Sequence, residues 1–382
     1  MVLLSHISLV RTWAITRKEF IHIVRDPFSL GMAIGLPVMM LVLFGFALTL
    51  DVDNVPLVVW DQDNSPASRT FTKRFSSSRY FSLRKKVDSY RDVERALDTR
   101  EALVALVIPR DFTRKIESNR QAAVQLIADG SDANTATIAI GYAEGVVRAY
   151  SADLLLDVMK RGGVALRPPL DVRQRVWFNA DLKSRNFIIP GLICVILMVI
   201  AALLTSLTVA LEWERGTMEQ LISTPVKGPE LIVGKLIPYF VVGMLDMVLA
   251  VLMAEFVFEV PMRDSVALLF AVASVFLIGT LSMGILISVS FKNQMLASQV
   301  AILATFLPAF LLSGFMFSLI NSPKAVQVLS YVVPARYFVT LIRAIYLKGV
   351  GLAALWPDVL FLCVFAAVFF TWANVKFKKK LA

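Results

Sequence analysis

Two histidines and two cysteines are all that the chain offers to nucleophile or metal chemistry, and their placement suits neither. His6 and His22 stand in the basic N-terminal stretch, while Cys194 and Cys363 lie inside long apolar runs. Neither a Cys/His zinc set nor a disulfide framework can be drawn from them. No His-Glu-x-x-His occurs and no second acid accompanies the one mid-span carboxyl, which removes intramembrane proteolysis.

Three other places carry the right residue types for chemistry. Asp129-Gly130-Ser131-Asp132 is acidic enough to invite calcium, and it suits equally a strand-to-helix turn with Asp132 as N-cap. Gly228 to Leu236 approaches a phosphate-binding loop. However, five residues separate Gly228 from Gly234, Leu236 stands where Ser or Thr must hold magnesium, and Lys235 enters an apolar run. It is a false match. Asp246 lies inside an apolar stretch, where an acid costs about 2.5–3.5 kcal/mol to insert and neighbouring Leu, Val, Met and Phe at about −0.3 to −0.6 kcal/mol each can offset it. Such a carboxyl either serves a translocation path or packs, protonated or hydrogen-bonded, against Thr205, Ser206 or Ser282 of another span.

The elements that must hold these residues are mostly apolar. Of 382 residues, 57% are hydrophobic and 18% charged, and the mean hydropathy is +0.69. That composition excludes a wholly soluble enzyme. The net charge is +10, but the basic residues are scattered between apolar runs, so nucleic acid is not a partner. About 20 consecutive apolar residues cross a bilayer as helix. Six runs qualify: Ser29–Leu50, Phe187–Leu211, Ile232–Ala254, Ser265–Phe291, Gln294–Ser318 and Leu355–Val375, the last edged by Trp356 and Trp372. The predicted fold class is an α-helical polytopic membrane protein with six transmembrane helices and an inserted extracytoplasmic α/β domain.

An even number of spans puts both termini on one side. Arg11, Arg17, Lys18, Arg25, Arg215, Lys227, Lys235, Lys292 and the tail Lys376, Lys378, Lys379 and Lys380 outnumber Arg263, Lys324, Arg336, Arg343 and Lys348 opposite, so the termini are placed in the cytoplasm. The first run has no small-residue cleavage site and reads as a retained anchor.

The chain therefore divides into an interfacial helix at 1–28, a first span at 29–50, an outer domain at 51–186, and the remaining spans at 187–382. Within the outer domain, strands are expected at Pro56–Trp60, Ala102–Ile108 and Ala123–Ala128. Helices are expected at Ser65–Phe75, Ser89–Thr99, Asp111–Glu117 and about Ala133 to Lys160. Residues 319–354 carry two short helical patterns, Ala325–Tyr331 and Ala335–Leu347, read as re-entrant or surface helices on the outer side. Pro334 opens the second, and Arg336 and Arg343, if buried, require carbonyl or carboxylate partners. Gly31 and Gly35 form a weak small-residue packing pair.

On the inner face, Leu9, Trp13, Phe20 and Val24 stack on one side of a helix and Arg11, Lys18, His22 and Arg25 form a cationic stripe on another. This is an in-plane amphipathic helix, ended by Asp26-Pro27. After the second span, residues 212–225 read Glu-Trp-Glu-Arg-Gly-Thr-Met-Glu-Gln-Leu-Ile-Ser-Thr-Pro. Gly216 breaks the helix, Thr217 and Gln220 have capping-box spacing and Pro225 closes the segment, so a short, separate surface helix is expected. Its acids and its Met218, Leu221 and Ile222, expected to be exposed, suit a protein groove better than anionic headgroups. The segment serves either as such a plug or as a mere connection.

The run Glu214 to Pro225 resembles the signature of ABC-2 type transport permeases with a large extracytoplasmic loop. Arg17-Lys18-Glu19 through Arg25-Asp26-Pro27 is similar to that family's interfacial helix, with Trp13 and Phe20 on its apolar side. Val58 to Ser65 resembles the opening of its outer domain, and Trp177-Phe178-Asn179 with Pro190-Gly191-Leu192 the entry to its second span. Leu312 to Phe315, Pro334 to Phe338, and Arg343 to Gly349 match its last third. Trp60 and Ala180 depart from the usual residues. The resemblance implies a bacterial inner-membrane subunit of an exporter for a hydrophobic or amphipathic substrate such as a drug, without enzyme activity of its own. It further implies a homodimer or a pair with a paralogous permease, and a separate cytoplasmic ATPase that binds ATP and magnesium; this chain holds no cofactor. Thr217, Glu219, Gln220 and Leu221 would form the coupling helix, with Glu212, Glu214, Arg215 and Gly216 at its base. In some relatives the outer domain meets a periplasmic adaptor protein. Two other classes remain open from the residues: an ion-coupled secondary transporter using Asp246, and a membrane-anchored ligand-sensing scaffold. The first ordinarily carries an internal repeat, which is not found.

Overall fold

Charge-free runs in lipid must satisfy their backbone groups internally, and the chain meets that demand with helices. The computed structural model describes residues 8–47, 53–118, 120–161, 178–179, 183–316, 319 and 322–377. It divides into two units, residues 1–49 with 175–382, and Leu50–Gln174. The expectations placed on His6, the ends of the first and fifth runs (48–50 and 317–318), Trp177, Ala180, the side chain of Ile222, and the tail Lys378, Lys379 and Lys380 lie outside the described residues.

The apolar unit opens with α1 (Leu9–Arg25), α2 (Pro27–Leu30), a π-helical turn (Gly31–Gly35) and α3 (Leu36–Ala47). The other unit follows as β1 (Val55–Asp61), α4 (Pro66–Ser76), β2 (Phe81–Lys86), α5 (Tyr90–Asp98), β3 (Val104–Ile108), α6 (Phe112–Glu117), β4 (Gln125–Ala128) and α7 (Ala133–Arg161). The chain then returns to α8 (Ser184–Glu214), α9 (Thr217–Ser223), α10 (Gly228–Leu252) with a π turn (Met253–Val257), α11 (Val266–Phe291) and α12 (Gln294–Leu312). It ends with α13 (Lys324–Ser330), α14 (Pro334–Arg343) with a π turn (Ala344–Lys348), and α15 (Leu352–Lys376).

Among the described residues, five helices are long and apolar enough to cross a membrane: Ser184–Glu214, Gly228–Val257, Val266–Phe291, Gln294–Leu312 and Ala354–Lys376. The first apolar run is a shorter apolar helix over Gly31–Ala47, continuous with α2. The chain is thus a polytopic, mainly helical membrane protein. Helix α8 is its axis. It packs on α3, α10, α11, α12 and α14, and its stretch from Ile188 to Ala202 is buried throughout. Near its C-terminal end Ser288 Oγ of α11 accepts from Val209 N and Ala210 N at 3.0 and 2.9 Å, which fixes α8 against α11. The segments α13 and α14 meet at 85°, a broken rather than straight path, as their short patterns and two prolines dictate.

In the other unit the sheet order is β2-β1-β3-β4, with β1 parallel to β2 and β3, and β4 antiparallel to β3. Alternate residues point to opposite faces of a strand. Val55, Leu57, Val59, Val104, Leu106 and Ile108 meet Phe71, Phe75, Phe112 and Tyr150 from α4, α6 and α7. Val58 and Ala105 meet Val93 and Ala96 of α5 on the other side. Strand β2 was not expected from the sequence. It lies at the sheet edge and is exposed over Lys85 and Lys86, so a single buried Phe81 is the main apolar trace it leaves. The Asp129–Asp132 segment is a turn: Asp129 Oδ1 accepts from Ser131 N at 2.9 Å, and Asp132 caps α7 by accepting from Thr135 N at 3.2 Å.

Candidate functional site

Helix α8 stops where Gly216 takes φ +69°, a left-handed conformation that glycine adopts without a Cβ clash. Gly216 N donates to Trp213 O at 3.2 Å and Arg215 N to Leu211 O at 3.0 Å, closing the last turn. The seven-residue α9 starts at once. The capping box expected from Thr217 and Gln220 does not form, because Gly216 occupies the cap position and Thr217 is already helical; its hydroxyl donates back to Glu212 O at 3.3 Å. Met218, expected to be exposed, is 1% exposed and anchors α9 to the protein, leaving Thr217, Glu219 and Gln220 outward and Leu221 half-buried.

Helix α1 lies along the start of α10. Thr12, Ile15, Thr16, Glu19 and Ile23 form its buried face, and the absence of a side chain at Gly234 allows the approach: a Cβ there would stand 2.8 Å from Ile15 Cβ and 3.1 Å from Thr12 O. Leu9, Trp13, Phe20 and Val24 face outward, as a lipid-resting side requires, with Arg17 and Arg25 also exposed. The expected cationic stripe is different. Arg11 donates to Pro225 O and pairs with Glu230 at 3.4 Å, and Glu230 also accepts from Ser8 N and Lys227 N at 2.8 Å each. Arg11 and Lys18 thus face protein carboxylates and carbonyls, because acids of α8 and α10 lie within reach of that side of α1.

Between α1, α8 and α10 sits a four-charge cluster. Lys235 Nζ lies 2.9 Å from Glu19 Oε1 and 3.0 Å from Glu212 Oε2, while Lys18 Nζ lies 2.5 Å from Glu212 Oε1 and 3.4 Å from Glu19. The side chains of Lys235, Glu19 and Glu212 are 1%, 6% and 8% exposed. Burial alone would raise the Glu19 carboxyl, but Lys235 and Lys18 outweigh it and hold Glu19 below the ordinary carboxylate value. For Lys18, burial acts to lower the ammonium, and Glu212 and Glu19 outweigh it and raise it. The cluster walls a cavity of about 410 Å³ that also includes Tyr239 and, from the α9 side, Thr217, Gln220 and Leu221.

Sequence reasoning selected Lys18 and Glu212 and missed Glu19 and Lys235 as their partners. The signal was available: a lysine at the entry of an apolar run needs an acid, and Glu19 falls on the same helical face as Thr12, Ile15 and Thr16. Glu214 stands at the base of α9, as expected, and also reaches α12. Its carboxylate accepts from Gln294 N at 2.9 Å and from the Gln294 amide, so it secures the first turn of α12. Arg215 is exposed.

The remaining singled-out residues are apart from this cluster. Asp246 is 2% exposed on the buried face of α10 with Gly243, Met247 and Ala250, and its Oδ1 has no hydrogen-bond partner among the described residues. The proposed hydroxyl partners do not serve it: Thr205, Ser206 and Ser282 donate to Ala201 O, Leu203 O and Ile278 O of their own helices. Pro334 begins α14. Arg343 donates to Phe187 O, Gly314 O and Phe315 O at 3.2, 2.9 and 3.0 Å. Arg336 donates to Ser330 Oγ and to Gln327 O at 3.4 Å, with its guanidinium 3.9 Å from the Tyr331 ring.

Residues 27–373 match the family described as ABC-2 family transporter protein. The chain is 39% identical over 376 residues to the probable multidrug ABC transporter permease YbhS of Escherichia coli K12, covering 98% of both chains. It is 31% identical over 372 residues to the probable multidrug ABC transporter permease YbhR of the same strain, covering 97% of this chain and 99% of that one. It is also 25% identical over 332 residues to the inner membrane transport permease YhhJ of that strain, covering 85% and 86%. A match across nearly the whole length, over a bundle built for lipid, means that the chain belongs to the ABC-2 transporter family as a membrane-spanning subunit.

Proposed function

We propose that the chain is an export permease whose α1 and α9 receive the stroke of a separate ATPase and pass it to α8 and α10. The observation that supports this is the Lys18–Glu19–Glu212–Lys235 cluster directly behind the outward-facing Thr217, Glu219 and Gln220. A push on a seven-residue helix is lost if its base yields. Here the base of α9 is tied by ion pairs to α1 and to the start of α10, so a displacement of α9 is shared by three elements at once.

The frame for that movement is six crossings, the five long helices and the run through Gly31–Ala47, with α13–α14 as a re-entrant pair. The termini and α9 face the cytoplasm of a bacterial inner membrane, and the α/β unit lies on the far side. Two such subunits, identical or paralogous, enclose the path, and ATP with magnesium is held by the ATPase. The names of YbhS and YbhR point to a drug-like, hydrophobic or amphipathic cargo, which suits walls of Leu, Val, Phe and Met.

The test is affinity purification of the tagged chain from cells expressing the ATPases encoded near it, followed by ATP-dependent efflux of an amphipathic dye from vesicles. An ATP-hydrolysing partner is expected to copurify, and Glu219→Arg is expected to abolish its recovery or its drive of efflux at unchanged expression. Efflux by the purified chain without any ATPase would overturn the reading.

A further inference from the structure

The α/β unit contains a groove that the packing of its described residues does not fill. Phe71 of α4, Phe112 and Ile116 of α6, Val124 before β4, and Val147 and Tyr150 of α7 line a cavity of about 500 Å³. That lies within the roughly 300–1,000 Å³ range of small-molecule pockets. Its floor is aromatic and fixed: the Phe71 ring stands 5.4 Å from Phe112 and 4.9 Å from Tyr150, and all three belong to the unit's core. Only the walls are loose ends of the core, with Leu155 56% exposed.

Charge decides what such a groove accepts. Arg120 is the one charged residue of its lining among the described residues. It has no ion-pair partner there, whereas the nearby cations are already engaged, Arg74 with Asp153 at 2.6 Å and Lys115 with Asp111 at 2.8 Å. Gln121 beside it is exposed and adds amide donors. An apolar, ring-floored slot with one unspent guanidinium at its rim matches an apolar molecule that carries a single anionic group, because the guanidinium pairs bidentately with carboxylate or sulfonate oxygens.

We infer that this groove is a binding site for a small apolar anion, seated on Phe71, Phe112 and Tyr150 and held at its acidic end by Arg120. The site belongs to the α/β unit alone and stands whether or not α9 meets an ATPase. The test is isothermal titration of the purified full chain in lipid nanodiscs with 2-naphthalenesulfonate, against 2-naphthylmethylammonium as a cation of similar shape. Saturable one-to-one binding of the sulfonate is expected, with the amine at least about tenfold weaker and Arg120→Gln weakening the sulfonate alone by about tenfold. Val147→Trp, which fills the groove, is expected to abolish binding. Glu219→Arg is expected to leave it intact, which separates this site from the coupling reading. Absence of saturable binding, equal affinity for both probes, or indifference to Arg120→Gln would overturn the inference. So would self-association of the chain that Val147→Trp removes, since the groove would then be an interface between copies.

Discussion

Lys235 Nζ lies 2.9 Å from Glu19 Oε1, although 216 residues separate the two in the chain. The contact joins the surface helix α1 to the first turns of a membrane-spanning helix, and Glu212 brings the end of α8 to the same ammonium. Breaking a buried pair by removing one partner costs about 3–5 kcal/mol, because the other charge remains buried and unpaired. Lys235→Met is therefore expected to lower the thermal unfolding temperature of the purified chain markedly. The triple replacement Glu19→Leu, Glu212→Leu, Lys235→Met, which leaves unpaired only Lys18, whose side chain is 41% exposed, is expected to recover much of that loss. Stability lower in the triple variant than in the single one would rule out the buried-charge explanation.

The same cluster sets a pH dependence with two limbs. Glu19 titrates lower in the folded chain than its ordinary value of 4.5, so its stabilising contribution is present above that value and disappears as the pH falls through the lowered one. Lys18 titrates above its ordinary 10.5, so its contribution is present below that value and is lost as the pH climbs through the raised one. Between about pH 5 and pH 10 neither group changes protonation and their contribution is flat. Glu230, Glu214, Asp111 and Asp129 are held low by their hydrogen bonds and cations as well, so thermal unfolding followed against pH should show an acid limb that Glu19→Gln reduces but does not abolish. An acid limb identical in the variant would place its cause in other carboxylates.

Gly216 separates fold from coupling. Its φ of +69° costs an L-residue about 1–2 kcal/mol, a small penalty in a bundle of this size, yet any relaxation redirects α9. Gly216→Ala is expected to keep expression and unfolding temperature near those of the parent while ATP-dependent efflux falls several-fold. Efflux at the parental rate would mean that the direction of α9 is unimportant.

Much of this was legible in the residues because lipid and a two-sided core each demand unbroken apolar runs. Charge-free runs announced the long helices, and the short β-rich apolar runs, buried over most of Val55–Asp61 and all of Val104–Ile108, announced the sheet. Strand Phe81–Lys86 escaped because an edge strand with Arg84, Lys85 and Lys86 has only one face to bury. Helix α1 was legible as amphipathic, but which cations meet lipid and which meet protein depends on what lies opposite: Arg17 is exposed, whereas Lys18, one residue on, is bound to Glu212. Pairings across some two hundred positions leave no mark in local spacing. Met218 was misjudged for the same reason, since a short surface helix reveals its inner face only when its neighbours are placed.

Arg343 offers the sharpest contrast between two side chains of equal charge. Its three donors diverge to Phe187 O on α8 and to Gly314 O and Phe315 O on the turn after α12, with the guanidinium carbon 3.5 Å from the Phe187 ring. The planar fork holds three carbonyls at once, whereas a lysine ammonium is a point charge that cannot span them. Each hydrogen bond to a charged group contributes about 1.5–3 kcal/mol, so Arg343→Lys is expected to destabilise the chain by several times RT and to open the chain at Gly314 and Phe315, after α12, to protease. Among the described residues Arg336 bonds within the α13–α14 pair, to Gln327 O and Ser330 Oγ, so Arg336→Lys is expected to have the smaller effect on both readouts. Equal effects of the two substitutions would show that charge alone, and not the forked geometry at Arg343, holds the bent pair against α8.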